Sequence, residues 1–203
     1  MKIENCEMER KTLIHFDKPQ EELLRGLLFC KFFRKCAIHN FYKTFEFESD
    51  VPAIRLREKI KGGVEGVEGM EGVEGMKYED YVRLAQCIGV QIFYLEQLGY
   101  TFYALDLDNI LVVCNNIYIY IGGDYLKKIS EDGTTISFTC PFEKTGFLSK
   151  EITEITVLPC KVDYRCVYHS LASLILSLGG KAIHDTKLHS FIQRCMKHKI
   201  LFL

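Results

Sequence analysis

The sequence predicts an α+β fold, mainly helical in its C-terminal part, with a small strand-containing N-terminal part. Three observations carry that expectation. Apolar residues recur at three- and four-residue steps over 20–37 and 78–98, the spacing of amphipathic helices. Residues 164–178 are apolar nearly all round, as a central buried helix would be. The β-branched runs Ile110–Cys114 and Ile117–Ile121 flank Asn115-Asn116, which spells a hairpin. With 48% apolar residues in a 203-residue chain, a sizeable core can be buried and a disordered chain is excluded.

The helix over 20–37 is supported by Leu23, Leu24, Leu27, Leu28, Phe32 and Phe33, with acids at its start and bases at its end, as the helix dipole prefers. Phe41–Phe47 alternates aromatic and polar residues, a strand pattern. Residues 62–76 repeat Gly-Val/Met-Glu, and glycine entropy with repeated like charge favours a flexible insert. The chain thus divides into 1–60, an insert at 61–77, and 78–203. A helix over Tyr78–Leu98 ends at Gly99, as a C′ glycine should. Gly122-Gly123-Asp124 breaks the second hairpin strand, Thr134–Thr139 is a short strand or extended loop, Gly179-Gly180 stops the buried helix, and Leu188–Met196 forms a last amphipathic helix.

Several function classes lose support on composition. A net charge of −1 supplies no field to attract nucleic acid or an anionic membrane. The N-terminus is too charged for a signal peptide, and no apolar run is read as reaching the roughly 18 residues of a membrane span. Nine cysteines, an odd number without a Cys-x-x-Cys pair, are expected as buried reduced thiols, which points to a soluble, intracellular protein. His184, His189 and His198 lack the spacing of a metal-binding helix, so no metal site is expected there. Cys166 near His169 could suggest a thiol nucleophile, but a thiol in a buried helix is inert.

Five stretches, in one order, carry a resemblance. Tyr94–Tyr100 looks like the end of a long helix that precedes a catalytic loop. Phe102-Tyr103-Ala104-Leu105-Asp106-Leu107-Asp108-Asn109-Ile110-Leu111-Val112 is similar to a His-Arg-Asp-Leu-x-x-x-Asn-Ile-Leu-Val stretch. Phe147–Glu151 resembles an Ala-Pro-Glu segment, Tyr168–Ala172 a Tyr-Ser-Leu-Gly, and Phe191–Met196 a Phe-Ile-x-x-Cys-Leu. Together they resemble the protein kinases, from about residue 78 onward, and among these the divergent kinase-like proteins of large DNA viruses. The resemblance implies a mainly helical C-lobe (78–203), an insert, and a truncated N-lobe (1–60) with 20–37 as its helix.

The same resemblance implies that the catalytic positions are degenerate. Kinase chemistry is positioning and electrostatics around phosphates. With Asn109 on the family asparagine, Ala104 takes the place of the catalytic aspartate, and a methyl group accepts no proton. Asp106 falls where a phosphate-supporting cation is usual, and is read as a loop-stabilising carboxylate. Gly122 takes the place of the magnesium-binding aspartate, with Asp124 two residues on. His15 takes the strand-lysine place, with Lys11 and Lys18 nearby, and Glu21 or Glu22 would be the helix acid. No Gly-x-Gly-x-x-Gly occurs. Glu151 matches a glutamate that makes a buried ion pair, with Arg194 or Lys199 as partner, and Ser170 keeps a structural place. Val167 and Ala172 replace an aspartate and a glycine of the central helix. The expected function is that of a pseudokinase-type module that binds or scaffolds another protein, without cofactor, metal, nucleic acid or membrane. The alternative is a divergent kinase transferring phosphate from ATP with Mg²⁺ to Ser/Thr, through Asp106 or Asp124.

Overall fold

The computed structural model describes residues 1–61, 76–114 and 116–197. Its N-terminal part is a four-stranded antiparallel sheet built from β1 (Lys2–Cys6), β2 (Lys11–His15), β3 (Cys36–His39) and β4 (Thr44–Glu48), in the order β1-β2-β4-β3. Helix α1 (Glu21–Phe29) connects β2 to β3. Strand β2 alternates as a half-covered strand must, with Thr12 and Ile14 buried and their neighbours partly exposed.

Two expected boundaries move. The helix over 20–37 stops at Phe29, because Lys31 takes a left-handed φ of 53° and Phe33 turns onto the sheet. There it packs on Phe45 and Phe47 at ring distances of 5.5 and 4.3 Å. Burial of that aromatic cluster outweighs the helical spacing, and Cys36 and Ala37 become strand. The strand expected from Phe41 begins only at Thr44, since Asn40, Phe41 and Tyr42 all have φ between 51° and 62°. The residues before β2 form β1 in full five-residue register with β2.

Strand β5 (Ile54–Arg55) and helix α2 (Leu56–Lys61) lead to the Gly-Val/Met-Glu insert, whose residues 62–75 lie outside the described residues. Helix α3 (Tyr78–Gln97) matches its expectation and buries Tyr81, Leu84, Ile88, Ile92 and Leu95. Gly99 follows it at φ 78°, a conformation that costs glycine nothing. Next come β6 (Tyr100–Phe102), β7 (Ala104–Leu105), a 3-10 turn Leu107–Asn109, β8 (Ile110–Val113) and β9 (Ile117–Tyr120). The predicted hairpin is β8–β9, and β5 adds to its other edge.

The remainder comprises β10 (Leu126–Lys128), β11 (Thr135–Phe138), β12 (Phe147–Leu148), α4 (Lys150–Thr153), β13 (Cys160–Asp163), α5 (Cys166–Gly179) and α6 (Lys187–Met196). Three two-stranded ladders, β6–β10, β7–β12 and β11–β13, tie these loops together. Helix α5 is central, with Val167, Leu171, Ala172, Leu174 and Ile175 fully buried. The window Cys166–Ile183 has the length and hydropathy of a membrane span, correcting the reading that no run reaches that threshold. It is 61% buried within the fold, which accounts for its apolar character.

Candidate functional site

The loop that carries the resemblance is held from beneath by Tyr120. Its hydroxyl donates to the Ala104 carbonyl at 3.4 Å and accepts from the Asp106 amide at 3.2 Å, while its ring meets Phe102 edge-on at 4.7 Å. Ala104 is fully buried, and its strand β7 pairs with β12. The position the resemblance assigns to the catalytic aspartate is therefore a packed core position. Asp106 caps the 3-10 turn: Oδ1 accepts from the Asp108 amide at 3.1 Å and Oδ2 from Asn109 Nδ2 at 3.3 Å. Both oxygens are engaged inside the loop, which favours the loop-stabilising role over that of a base. Asp108 is likewise occupied, with Arg57 on its carboxylate and Arg55 on its carbonyl.

Gly122 is buried directly over the Tyr120 ring. A Cβ there would lie 2.4 Å from the hydroxyl oxygen and 2.6 Å from Cζ. An aspartate at 122 has no room while Tyr120 occupies this place. A side chain at 122 and the loop-bracing ring of Tyr120 exclude one another in this packing arrangement.

A cavity of about 350 Å³ opens between this hairpin and the N-terminal sheet, lined among others by Phe16, Lys18, Gln20, Asn109, Gly122 and Asp124. Lys18 pairs with Asp124 at its mouth. Of the three candidate nucleotide contacts under the alternative, Asn109, Asp124 and His15, the first two line one cavity. His15 does not line it: Nδ1 meets Thr44 Oγ1 at 3.3 Å and Nε2 lies 3.6 Å from Glu4, on the sheet. Lys18, three residues on, does line it. Lys11 is bound to Glu46 at 3.1 Å, Glu21 to Arg25, and Glu22 accepts from the Tyr100 hydroxyl at 3.2 Å. The cavity does not fit magnesium with ATP well. Both carboxylates that line it are paired, Asp124 with Lys18 and Asp17 with the amino terminus at 2.7 Å, and the Asn109 amide is committed to Asp106.

Further sites resolve as follows. Glu151 sits in the first turn of α4 and is exposed; Lys199, one of the two partners that the resemblance implies for it, lies outside the described residues. Ser170 is fully buried and donates to the Cys166 carbonyl one turn back at 3.3 Å. Burial pushes the Cys166 thiol up to about 12, far from the thiolate a nucleophile needs. His184 and His189, whose spacing suggested nothing, bring their rings to 4.5 Å; His198 lies outside the described residues.

Two buried polar groups were not foreseen. Gln91 on α3 is fully buried and grips the backbone of Tyr120, donating to its carbonyl at 2.6 Å and accepting from its amide at 2.9 Å. A glutamine on an otherwise apolar helix face was the available signal. Glu96, near the end of the same helix, accepts from the Tyr168 hydroxyl at 2.9 Å. Desolvation pushes its carboxyl from 4.5 up to about 7, although Tyr168 and the charge of Arg165 pull the other way.

A groove of about 780 Å³ runs between α3, α5 and α6, walled by Val82, Val90, Phe93, Leu171, Leu188 and Phe191. Phe93 is 51% exposed and Val90 37%. Apolar surface continues through Tyr94, which contacts Phe93 at 5.5 Å, to Phe29, stacked on Tyr94 at 6.3 Å and itself 50% exposed. Compared with protein-family models and with curated proteins, the chain matches none.

Proposed function

We propose that this chain is a kinase-like domain without phosphoryl transfer that works by binding another protein through the groove between α3, α5 and α6. The observation that carries the reading is the contrast between the two concave surfaces. The loop side is closed chemically: Ala104 is buried, Asp106 and Asn109 satisfy each other, and Tyr120 fills the space above Gly122. The groove side leaves aromatic and branched side chains uncovered in one continuous band, which on a folded chain marks a contact surface. Its position between helices and its apolar walls suit the apolar face of a partner helix, read through anchors one turn apart.

The test is interaction with and without the band. A partner identified by proximity labelling with the full chain should bind the purified protein directly. Phe93→Asp should weaken that binding by at least 10-fold, the loss expected of one central anchor, while Lys18→Ala leaves it unchanged. Metal-dependent transfer of phosphate from ATP by the purified chain, abolished in Asn109→Ala, would sink the reading.

One observation favours the alternative of a divergent kinase: Lys18, Asn109 and Asp124 line one cavity. Asp106 is poorly placed as its base, with both oxygens engaged. Thermal unfolding with ATP and Mg²⁺ separates the two readings, since a ligand of the native state stabilises by RT ln(1 + [L]/Kd). No shift is expected at millimolar nucleotide.

A further inference from the structure

The structure assigns a zinc-type metal site to the turn between α5 and α6, formed by His184, Asp185 and His189. Gly180 and the 3-10 turn Gly180–Ile183 end α5, Asp185 takes a left-handed φ of 57°, and Thr186 caps α6. The reversal at Asp185 folds His184 back over the first turn of α6. That is how two histidines five positions apart, only one of them helical, come to lie ring to ring at 4.5 Å. One donor atom from each of His184, Asp185 and His189 lies within 4.8 Å of the others.

Tetrahedral zinc at about 2.0–2.2 Å from nitrogen and oxygen ligands requires donors about 3.3–3.5 Å apart. The set therefore closes by small side-chain rotations. His184 and Asp185 are 61% and 98% exposed at the side chain, so no core packing opposes them. The backbone is already fixed by one hydroxyl: Thr186 Oγ1 donates to the Ile183 carbonyl at 2.6 Å and accepts from the His189 amide at 3.2 Å. The ligands thus hang from a braced turn, which lowers the ordering cost of binding. Gln193, one turn along α6, reaches His189 Nε2 at 3.3 Å. A ring that binds the metal through Nδ1 carries its proton on Nε2, so the Gln193 amide must turn its oxygen to accept that proton, orienting the ring as outer-shell partners of metal-binding histidines do.

Two imidazoles and a carboxylate select a borderline transition ion over magnesium or calcium, which prefer all-oxygen sets. Three protein donors leave a fourth position for water. Binding would clamp the turn to the helix that carries Leu188 and Phe191, two walls of the apolar groove, but the site itself does not depend on what the groove binds.

The experiment uses the full chain, kept reduced with a phosphine. Zn²⁺ is titrated calorimetrically, and Co²⁺ is titrated by absorption to identify the donor atoms. One equivalent of Zn²⁺ should bind, and cobalt should give ligand-field bands of nitrogen and oxygen donors without thiolate-to-metal charge transfer. His184→Ala and His189→Ala should each weaken Zn²⁺ at least 10-fold and Gln193→Ala about 10-fold, with the metal-free far-UV spectra unchanged. A thiolate charge-transfer band, or unaltered affinity in His189→Ala, would overturn the assignment.

Discussion

At the scale of single residues, two polar side chains have measurable consequences, Tyr120 beneath the loop and Glu96 near the end of α3. Tyr120 holds Asp106 and Ala104 by hydrogen bonds and occupies the space a side chain at 122 would need. Gly122→Ala must push the buried ring aside, an overpacking cost of about 1–3 kcal/mol, measurable as a lower urea midpoint with unchanged slope. Glu96 gives a pH signature. Its carboxyl titrates at about 7 in the folded chain against an ordinary 4.5, so between those values the folded state holds more protons than the unfolded one. Stability from this group is full below about 4.5, falls as pH rises through the window, and is lost above about 7. The whole effect is about 1–3 kcal/mol. The comparison of wild type with Glu96→Gln in urea at several pH values reads it out: the glutamine variant should lose that slope and be the more stable at pH 8. In the sequence, the nearness of Asn109 to Gly122 follows from the hairpin signal, since β8 and β9 pair Ile110 with Tyr120. The Tyr120 clamp does not, since nothing in the spacing says which way a strand tyrosine points.

At the scale of elements, local pattern predicted whatever local forces decide and failed where a distant contact did. Helix α3 and hairpin β8–β9 appear as expected because apolar periodicity, a terminal glycine and β-branched runs agree with their burial. The helix at 20–37 fails after Phe29 because Phe33 has partners in β4, far along the chain. Lys18 and not His15 lines the cavity, and alternation along β2 cannot show this, because Lys18 lies beyond the end of the strand. The joint between α3 and β9 has the same character. Strand β9 lies at the edge of its sheet, and Gln91 satisfies the outward-facing amide and carbonyl of Tyr120. Gln91→Leu would strip both partners from buried backbone groups. Each costs about 1–3 kcal/mol when unsatisfied, so a destabilisation of about 2–5 kcal/mol is expected by thermal or urea unfolding. Exchange of the Tyr120 amide should be the fastest gained. Retention of wild-type stability would show that the leucine recovers in apolar packing what the strand loses.

At the scale of the whole molecule, the N-terminal sheet and the helical part share one core. Ile14 and Phe45 of the sheet, Leu24 and Leu27 of α1, Leu95 of α3 and Leu171 of α5 belong to a single contiguous cluster of buried side chains. Polar ties cross the same boundary: the Tyr100 hydroxyl donates to Glu22 at 3.2 Å, and Lys18 pairs with Asp124. The pair is exposed and contributes little, so the joint rests on apolar burial. Helix α1 seats against α3 so closely that a Cβ on Gly26 would come within 2.7 Å of Leu95 Cδ2. Two lobes joined by a hinge would unfold separately; two parts with one core should not. Although a chain of 203 residues exceeds the length at which all-or-none unfolding is usual, a single urea transition is expected. The far-UV signal, which weighs the helices, and tyrosine fluorescence, from 11 tyrosines with no tryptophan to mask them, should give coincident midpoints. A larger side chain at the joint supplies the converse. Gly26→Val should drive Leu95 aside and loosen α1 from α3, splitting the transition in two, with the sheet lost first and the helical signal surviving to higher denaturant.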